Sequence, residues 1–334
     1  MAELASALEL TQLYPHWIAI GAQGTVYVLD FPSERLLAID SLGARVRAIG
    51  RSGQGPGEFR RPSAIGADPN GVLYVANPAT RAFIRFDATG RAIDQQPMPR
   101  RYAGGRFYPQ GAATLLTLRR LDRETSSEVT RLVVLRGEDT LELHTQAQPI
   151  TMNVPYASCP GLISPPAQPP LFAPKLNWSA RADTTFVAAT TQYTIDRYHG
   201  THLSASWRRA VAPLKATPEL ARQELGGGTE WTWGGGKCRL DPEEEITVRG
   251  VAEYIPAVDD LALAPDGSVW VRRAGVGGEP VLIDVLSPTG EYLGTLQANS
   301  PFPVAFLSTD TLLAIGADSD DVPQLLIYRI VVPP

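Results

Sequence analysis

Residues 50–62 read Gly-Arg-Ser-Gly-Gln-Gly-Pro-Gly-Glu-Phe-Arg-Arg-Pro. Such a glycine-rich stretch is either a phosphate-cradling loop or a structural corner. A phosphate loop needs a strand, then the glycines, then a helix N-terminus carrying Lys-Ser/Thr. No lysine follows here, and Pro62 opens another extended run, so no helix dipole is available. The stretch reads as a tight corner. Gly53, Gly55 and Gly57 would permit positive φ. Pro56 and Pro62 would stiffen it, Phe59 would plug between neighbouring units, and the Glu58 carboxylate would cap loop amides.

Outward from the corner the chain repeats. Residues 65–77 read IGADPNGVLYVAN, residues 18–31 IAIGAQGTVYVLDF and residues 261–271 LALAPDGSVWV. Each is an apolar alternating run, a polar turn ending in Gly, and a second run of β-branched and aromatic residues. Alternation at period two around Asn-Gly or Asp-Gly is a hairpin signal. A third run and a further turn follow each hairpin, at residues 35–46, 82–93 and 281–296. That makes four strands per unit. Residues 107–143, 176–211 and 303–332 keep the spacing in degenerate form. Six four-stranded units at a spacing of roughly 40 residues predict radial repetition. The predicted fold is therefore all-β: a single six-bladed β-propeller domain over residues 1–334, with two long inter-blade insertions at about 147–174 and 213–257. The last unit lacks a fourth strand, and Leu8–Leu13 is an orphan run. Pairing Leu8–Leu13 with Gln324–Val331 would close the ring and remove an open edge.

The GQGPGEFRRP segment followed by IGADPNGVLYVAN resembles the bacterial six-bladed propellers related to NHL-repeat proteins. In these a G-x-G-x-GPGEF-x-x-P segment joins one blade to the next. The match is close over residues 50–90 and fair in the first and fifth units. The resemblance implies the fold and little about activity, and many members are exported. The wider superfold holds lactonases, lyases and binding proteins, so fold does not decide function.

Composition narrows the rest. Thirty-five acids face 30 bases, a net charge of −5, which gives no general field for nucleic acid. No apolar run approaches a membrane span. The opening MAELASALEL lacks a basic region followed by an apolar one. The expectation is a periplasmic or extracellular protein whose leader is absent from this chain, with a cytoplasmic location left open. Cys159 and Cys238 cannot form a four-ligand zinc framework. They fall in insertions on the same face and on adjacent blades, so a disulfide is expected, the alternative being two unpaired thiols.

The starts of the inner strands are the usual ligand positions in a propeller. Here they lie near His16, Ser63, Arg106, Asn177, Asp259 and Pro303. Resemblance to the metal-dependent lactonase propellers would ask for an acid, an Asn and an Asp converging there. Asn177 with Asp259 or Asp260 would supply two oxygen ligands of the kind Ca²⁺ takes. The first unit offers His16 where an acid is wanted, so no cofactor is expected. The other reading of Asp259 and Asp260 is capping of strand-end amides. His199 and His202 form H-x-x-H in a hairpin turn without a third ligand. In the second insertion Thr217 is an N-cap and Pro218 the first residue of a helix. Trp231 and Trp233 alternate, so both would stack on a flat ligand or cover the blade tops. Long loops are often functional, and a lid over the channel is expected. One mouth would collect Arg60, Arg61, Arg106, Arg272 and Arg273, with Asp259 and Asp260 beside them and Trp231 and Trp233 above. That mixture suits a small anionic or sugar-like ligand, or a protein partner. A binding or scaffold role is favoured over catalysis. The alternatives are a lactonase-like hydrolase or lyase using a divalent cation, and a structural component of a surface assembly.

Overall fold

A computed structural model describes residues 2–9, 17–30, 34–40, 46–151, 156–159, 168–233, 236–320 and 322–331, with the side chains of 2–9, 23 and 231–233 outside that description. Six four-stranded antiparallel sheets form the blades. Blade 1 comprises Ile18–Ile20, Val26–Asp30, Arg35–Ile39 and Val46–Ile49. Blade 2 comprises Ala64–Ala67, Leu73–Asn77, Ala82–Phe86 and Ala92–Pro97. Blade 3 is built of longer strands, Tyr102–Gln110, Ala113–Asp122, Ser127–Arg136 and Asp139–Pro149. Blade 4 holds Asn177–Arg181, Thr184–Ala188, Thr194–His199 and His202–Arg208. Blade 5 holds Val258–Leu263, Val269–Arg273, Ile283–Leu286 and Tyr292–Thr295. Blade 6 combines Ala305–Phe306, Thr311–Ala317 and Pro323–Ile330 with Ala2–Glu9 as its fourth strand. The N-terminal strand thus lies earlier than the expected Leu8–Leu13. It pairs from Ala2 opposite Ile330 to Glu9 opposite Gln324, and residues 10–13 lie outside the described residues.

Period-two alternation explains how the blades hold together. Successive side chains of a strand point to opposite faces, and in a propeller each face meets a different neighbouring blade. In blade 1, Tyr27 and Leu29 pack with Leu73, Val75 and Ile84 of blade 2. Val26 and Val28 pack with Leu313, Leu325 and Ile327 of blade 6. Six apolar clusters result, one per seam between blades. A fully buried Val, Leu or Phe contributes about 1.5–3 kcal/mol relative to exposure, so the seams dominate the stability of the ring.

The 50–62 stretch is a corner between blades 1 and 2. Phe59 is fully buried and meets Phe86 edge to face at 6.5 Å. Glu58 accepts from the Gly55 N–H at 2.8 Å and from Arg51 Nε at 2.6 Å. A Cβ on Gly53, at φ 156°, would lie 2.0 Å from Oε2 of Glu58, so a side chain there would displace the carboxylate from its bonds to Gly55 and Arg51. Gly50, at φ 62°, and Gly57 are left-handed, whereas Gly55 is not. What favours glycine there is the close approach of Glu58, whose Oε2 would lie 3.1 Å from a Cβ.

The chain runs down each inner strand, so the inter-blade linkers and the second hairpins of all blades share one face. Both insertions rise from it and pack on each other. Helix α1 (Pro218–Leu225) is N-capped by Thr217 as expected. A second helix was not anticipated: α2 (Pro242–Arg249) starts at Asp241, whose carboxylate accepts from the Glu243 and Glu244 N–H groups. Arg222 of α1 pairs with Glu243 of α2. Tyr156 and Cys159 of the first insertion cluster with Leu240, Cys238 and Val248 of the second. The Cys159–Cys238 disulfide is formed, with Cα atoms 5.5 Å apart. Glu245, only 1% exposed, is held by Arg249 at 2.6 Å and by the Thr229 hydroxyl at 2.8 Å. No helix among the described residues is long and apolar enough to cross a membrane.

Candidate functional site

The inner strands of all six blades enclose a central cavity of ≈ 490 Å³. Its wall is largely aliphatic, with Ile18, Ile20, Ile65, Leu261, Leu263 and Leu307 among the lining residues. Arg106, Ser179 and Arg181 are polar exceptions. The Ser179 hydroxyl accepts from the Leu263 N–H at 3.1 Å and so ties blade 4 to blade 5.

Two bulges build a charged cluster beside this cavity, and of that cluster Arg106 is the member that lines it. In blade 3 the ladder breaks between Tyr102 and Phe107, where Gly104 and Gly105 take φ 72° and 79°. Bulges re-aim side chains, and this one presents Arg106, the last residue of the irregular stretch. Its Nη1 donates to the Trp178 carbonyl at 2.6 Å and lies 3.7 Å from Oδ1 of Asp260. In blade 5 a bulge between Val258 and Asp260 places Asp260 opposite Arg272. Arg272 Nε donates to Asp259 Oδ2 at 2.8 Å, and its Nη2 stands 3.9 Å from Asp260 Oδ2. Phe302 lies under the Arg272 guanidinium at 4.9 Å. The charges therefore alternate, Arg106, Asp260, Arg272, Asp259, across blades 3 and 5. Such partly exposed pairs are each worth about 0–1 kcal/mol net. Their role is orientation rather than stability.

The expected residues are only partly brought together. Arg106, Asp259, Asp260 and Arg272 form the cluster. Asn177 opens the neighbouring inner strand of blade 4, half-buried. Arg273 follows Arg272 on one strand and so points to the other face, toward the Tyr193 side of the seam with blade 4. Arg60 and Arg61 sit on the exposed corner. Their backbone N–H groups donate to Asn77 Oδ1 at 3.2 Å and Glu34 Oε1 at 2.9 Å, and among the described residues neither takes part in the ion pairs of the Arg106 cluster. The strand Thr229–Trp233 pairs with Gly236–Leu240, but the side chains of Trp231 and Trp233 lie outside the described residues, as does His16. Among the described residues no insertion residue lines the cavity. The insertions stand over blades 4 and 5 instead, where Leu220 of α1 abuts Gly277. Among the described residues no three of His, Cys, Asp and Glu converge as metal ligands. Asp259 and Asp260 each face a guanidinium. His199 pairs with Asp183 at 3.1 Å on an exposed hairpin.

Phe302 and the Trp178 carbonyl escaped the sequence reading, because neither is marked by residue type. A second cluster escaped it as well. Arg209 pairs with the fully buried Asp284 and stacks on Tyr292 at 3.8 Å. Burial, then the Asp284 charge, pushes the Tyr193 hydroxyl far above its usual range. Tyr193 and Arg209 also line a second cavity, of ≈ 550 Å³, at the foot of the second insertion.

Residues 16–103 match the model of the family DUF5128, described as 6-bladed beta-propeller. The structure is similar to that of a Bacteroides fragilis NCTC 9343 protein thought to be exported, at 12% identity and a TM-score of 0.54, over 99% of this chain and 96% of that one. It is also similar to a DUF4221 family member from Bacteroides vulgatus ATCC 8482, at 8% identity and a TM-score of 0.52, over 98% of this chain and 97% of the other. At such identities the likeness is one of fold. No curated protein matches the sequence.

Proposed function

We propose that this chain is a binding propeller that works outside the cytoplasm and takes a small ligand into the channel from the linker face. The apolar part of the ligand would rest against the inner strands, and an anionic or sugar-acid head would meet Arg106. The observation that carries this reading is the position of Arg106. It lines a cavity whose wall is largely aliphatic, with Asp68, Ser179 and Arg181 among its other polar side chains, and it reaches Asp260 only at 3.7 Å, longer than a hydrogen bond. A guanidinium so placed has donors to spare for a carboxylate, which it pairs with bidentately. Asp260 and Arg272 would hold its orientation. Asn177, at the start of the neighbouring inner strand, would add an amide for a hydroxyl or carbonyl of the ligand. The extracytoplasmic assignment rests on the Cys159–Cys238 bond, since disulfides persist in oxidising compartments.

The test is a thermal-shift panel of aromatic, aliphatic and uronic acids, each beside its methyl ester. The acids should raise the melting temperature, the esters should not, and Arg106→Gln should abolish the response. Equal shifts from acids and esters, or an unchanged response in Arg106→Gln, would overturn the proposal. Turnover of the esters or of a lactone series would replace it with an enzymatic one.

A further inference from the structure

The linker face is divided in charge. Residues 213–257 carry eight acids against five bases, whereas residues 98–124 carry six arginines, one of them the channel residue Arg106, and two acids, Asp122 and Glu124. On a molecule of net charge −5 the second segment is a local exception.

Hydrogen bonds place its arginines in one strip with those of the corner. Asn77 accepts from the Arg60 N–H through Oδ1 and, through Nδ2, donates to Thr80 at 3.0 Å, beside Arg81. The Met98 N–H donates to the Arg81 carbonyl at 2.8 Å, and the Arg119 N–H to the Arg101 carbonyl at 2.8 Å. The strip thus runs from the corner across blade 2 to the tip of the long blade 3 hairpin. Arg60, Arg61, Arg81, Arg100, Arg101 and Arg123 are exposed, and among the described residues none of them has an ion-pair partner within 4.0 Å. Arg119 and Arg120 are answered by Glu128 at 3.6 Å and Asp122 at 3.3 Å. Glu34 accepts from the Ser52 hydroxyl and the Arg61 N–H, and its carboxylate also lies within the field of the Arg60 and Arg61 guanidiniums.

The strip lacks what other partners need. A protein interface has an apolar or aromatic centre, and single-stranded nucleic acid needs aromatic platforms. Among the described residues Leu121 is the only large apolar side chain exposed there. What remains is a row of exposed guanidiniums in excess over the two acids beside them, Glu34 and Glu124, which suits an extended chain of regularly spaced carboxylates. We propose that this strip over blades 2 and 3 docks an acidic polysaccharide of the polyuronate class. The assignment is independent of the channel reading.

The test measures binding of oligogalacturonate at low and at physiological salt. Wild type should bind, more weakly as salt rises. Combining Arg81→Gln, Arg100→Gln, Arg101→Gln and Arg123→Gln should cost about tenfold or more in affinity and flatten the salt dependence, as lost cation contacts do for any polyanion. Arg208→Gln, Lys215→Gln, Lys237→Gln and Arg329→Gln together remove the same charge elsewhere and should leave affinity within about twofold. Both variants must melt as wild type does; if the first does not, Arg101→Glu alone replaces it and should weaken binding. Failure of wild type to bind at low salt, an unaffected strip variant, or equal weakening by the control would overturn the proposal. So would equally tight binding of duplex DNA or of phosphatidylglycerol vesicles.

Discussion

Cys159 and Cys238 are bonded across 79 residues of sequence, and their bond joins the two insertions to each other rather than to any blade. A loop of that size corresponds to about 4 kcal/mol in the chain-entropy model. The benefit falls on the insertions, because the six seam clusters do not include either cysteine. Cys159→Ala with Cys238→Ala should therefore speed tryptic cleavage at Lys237 and Arg239 several-fold while the main melting transition moves little. Unchanged cleavage would mean that the insertions hold together without the bond.

The strand Ala2–Glu9 is the outer strand of blade 6 and hydrogen-bonds Pro323–Ile330 along its length. Deleting residues 1–9 would bare that strand edge, a template for pairing with another chain. The seam between blades 6 and 1 would survive, since it is packed by Val26, Val28, Leu313 and Leu325. The truncated protein should fold, melt several degrees lower, and self-associate with concentration in light scattering. A monomer with the parent melting temperature would refute a closing role for this strand.

The hairpins around Asn70-Gly71 and Asp266-Gly267 were legible because turn chemistry and period two agree there. The placement of Ala2–Glu9 was not, because AELASALE favours helix by composition and becomes a strand only by lying against blade 6. Helix α2 carried its own signal, Asp241 before Pro242 with three glutamates after it, and differs from α1 only in following a glycine-rich stretch that hid it. Arg106 and Asp260 are 154 positions apart, and only the ring closure brings them within 3.7 Å. No local pattern encodes such a pair. The bulge that aims Arg106 leaves a trace in Gly104-Gly105, and that trace names the bend without naming what the bend points at.

The corner should respond to acid. The Gly55 N–H, and then Arg51, hold the Glu58 carboxyl below its ordinary value of 4.5. A depressed folded-state value means that the carboxylate contributes stability above pH 4.5, and that this contribution fades as the pH falls through the lower folded value. Glu58→Gln should melt lower than wild type at neutral pH, and the gap should close on acidification below 4.5. A gap that is constant across this range would show that Glu58 acts by shape alone.

Arg209 offers the sharpest test of the seam between blades 4 and 5. Its partner Asp284 is fully buried and also accepts from the Thr295 hydroxyl, while the Arg209 guanidinium itself lies on Tyr292 at 3.8 Å. Removing one member of such a pair leaves a buried charge without compensation, at a cost of about 3–5 kcal/mol, whereas replacing both is often near neutral. Arg209→Met should thus destabilise strongly, and Asp284→Asn added to it should recover much of the loss, because the neutral amide keeps a bond to Thr295. Stacking on Tyr292 predicts a residual deficit in the double variant, since Met restores bulk but no cation over the ring. Chemical denaturation of the single and double variants separates these contributions. If Asp284→Asn worsens Arg209→Met instead of rescuing it, the aspartate serves the seam through its hydrogen bonds, and the ion pair is incidental.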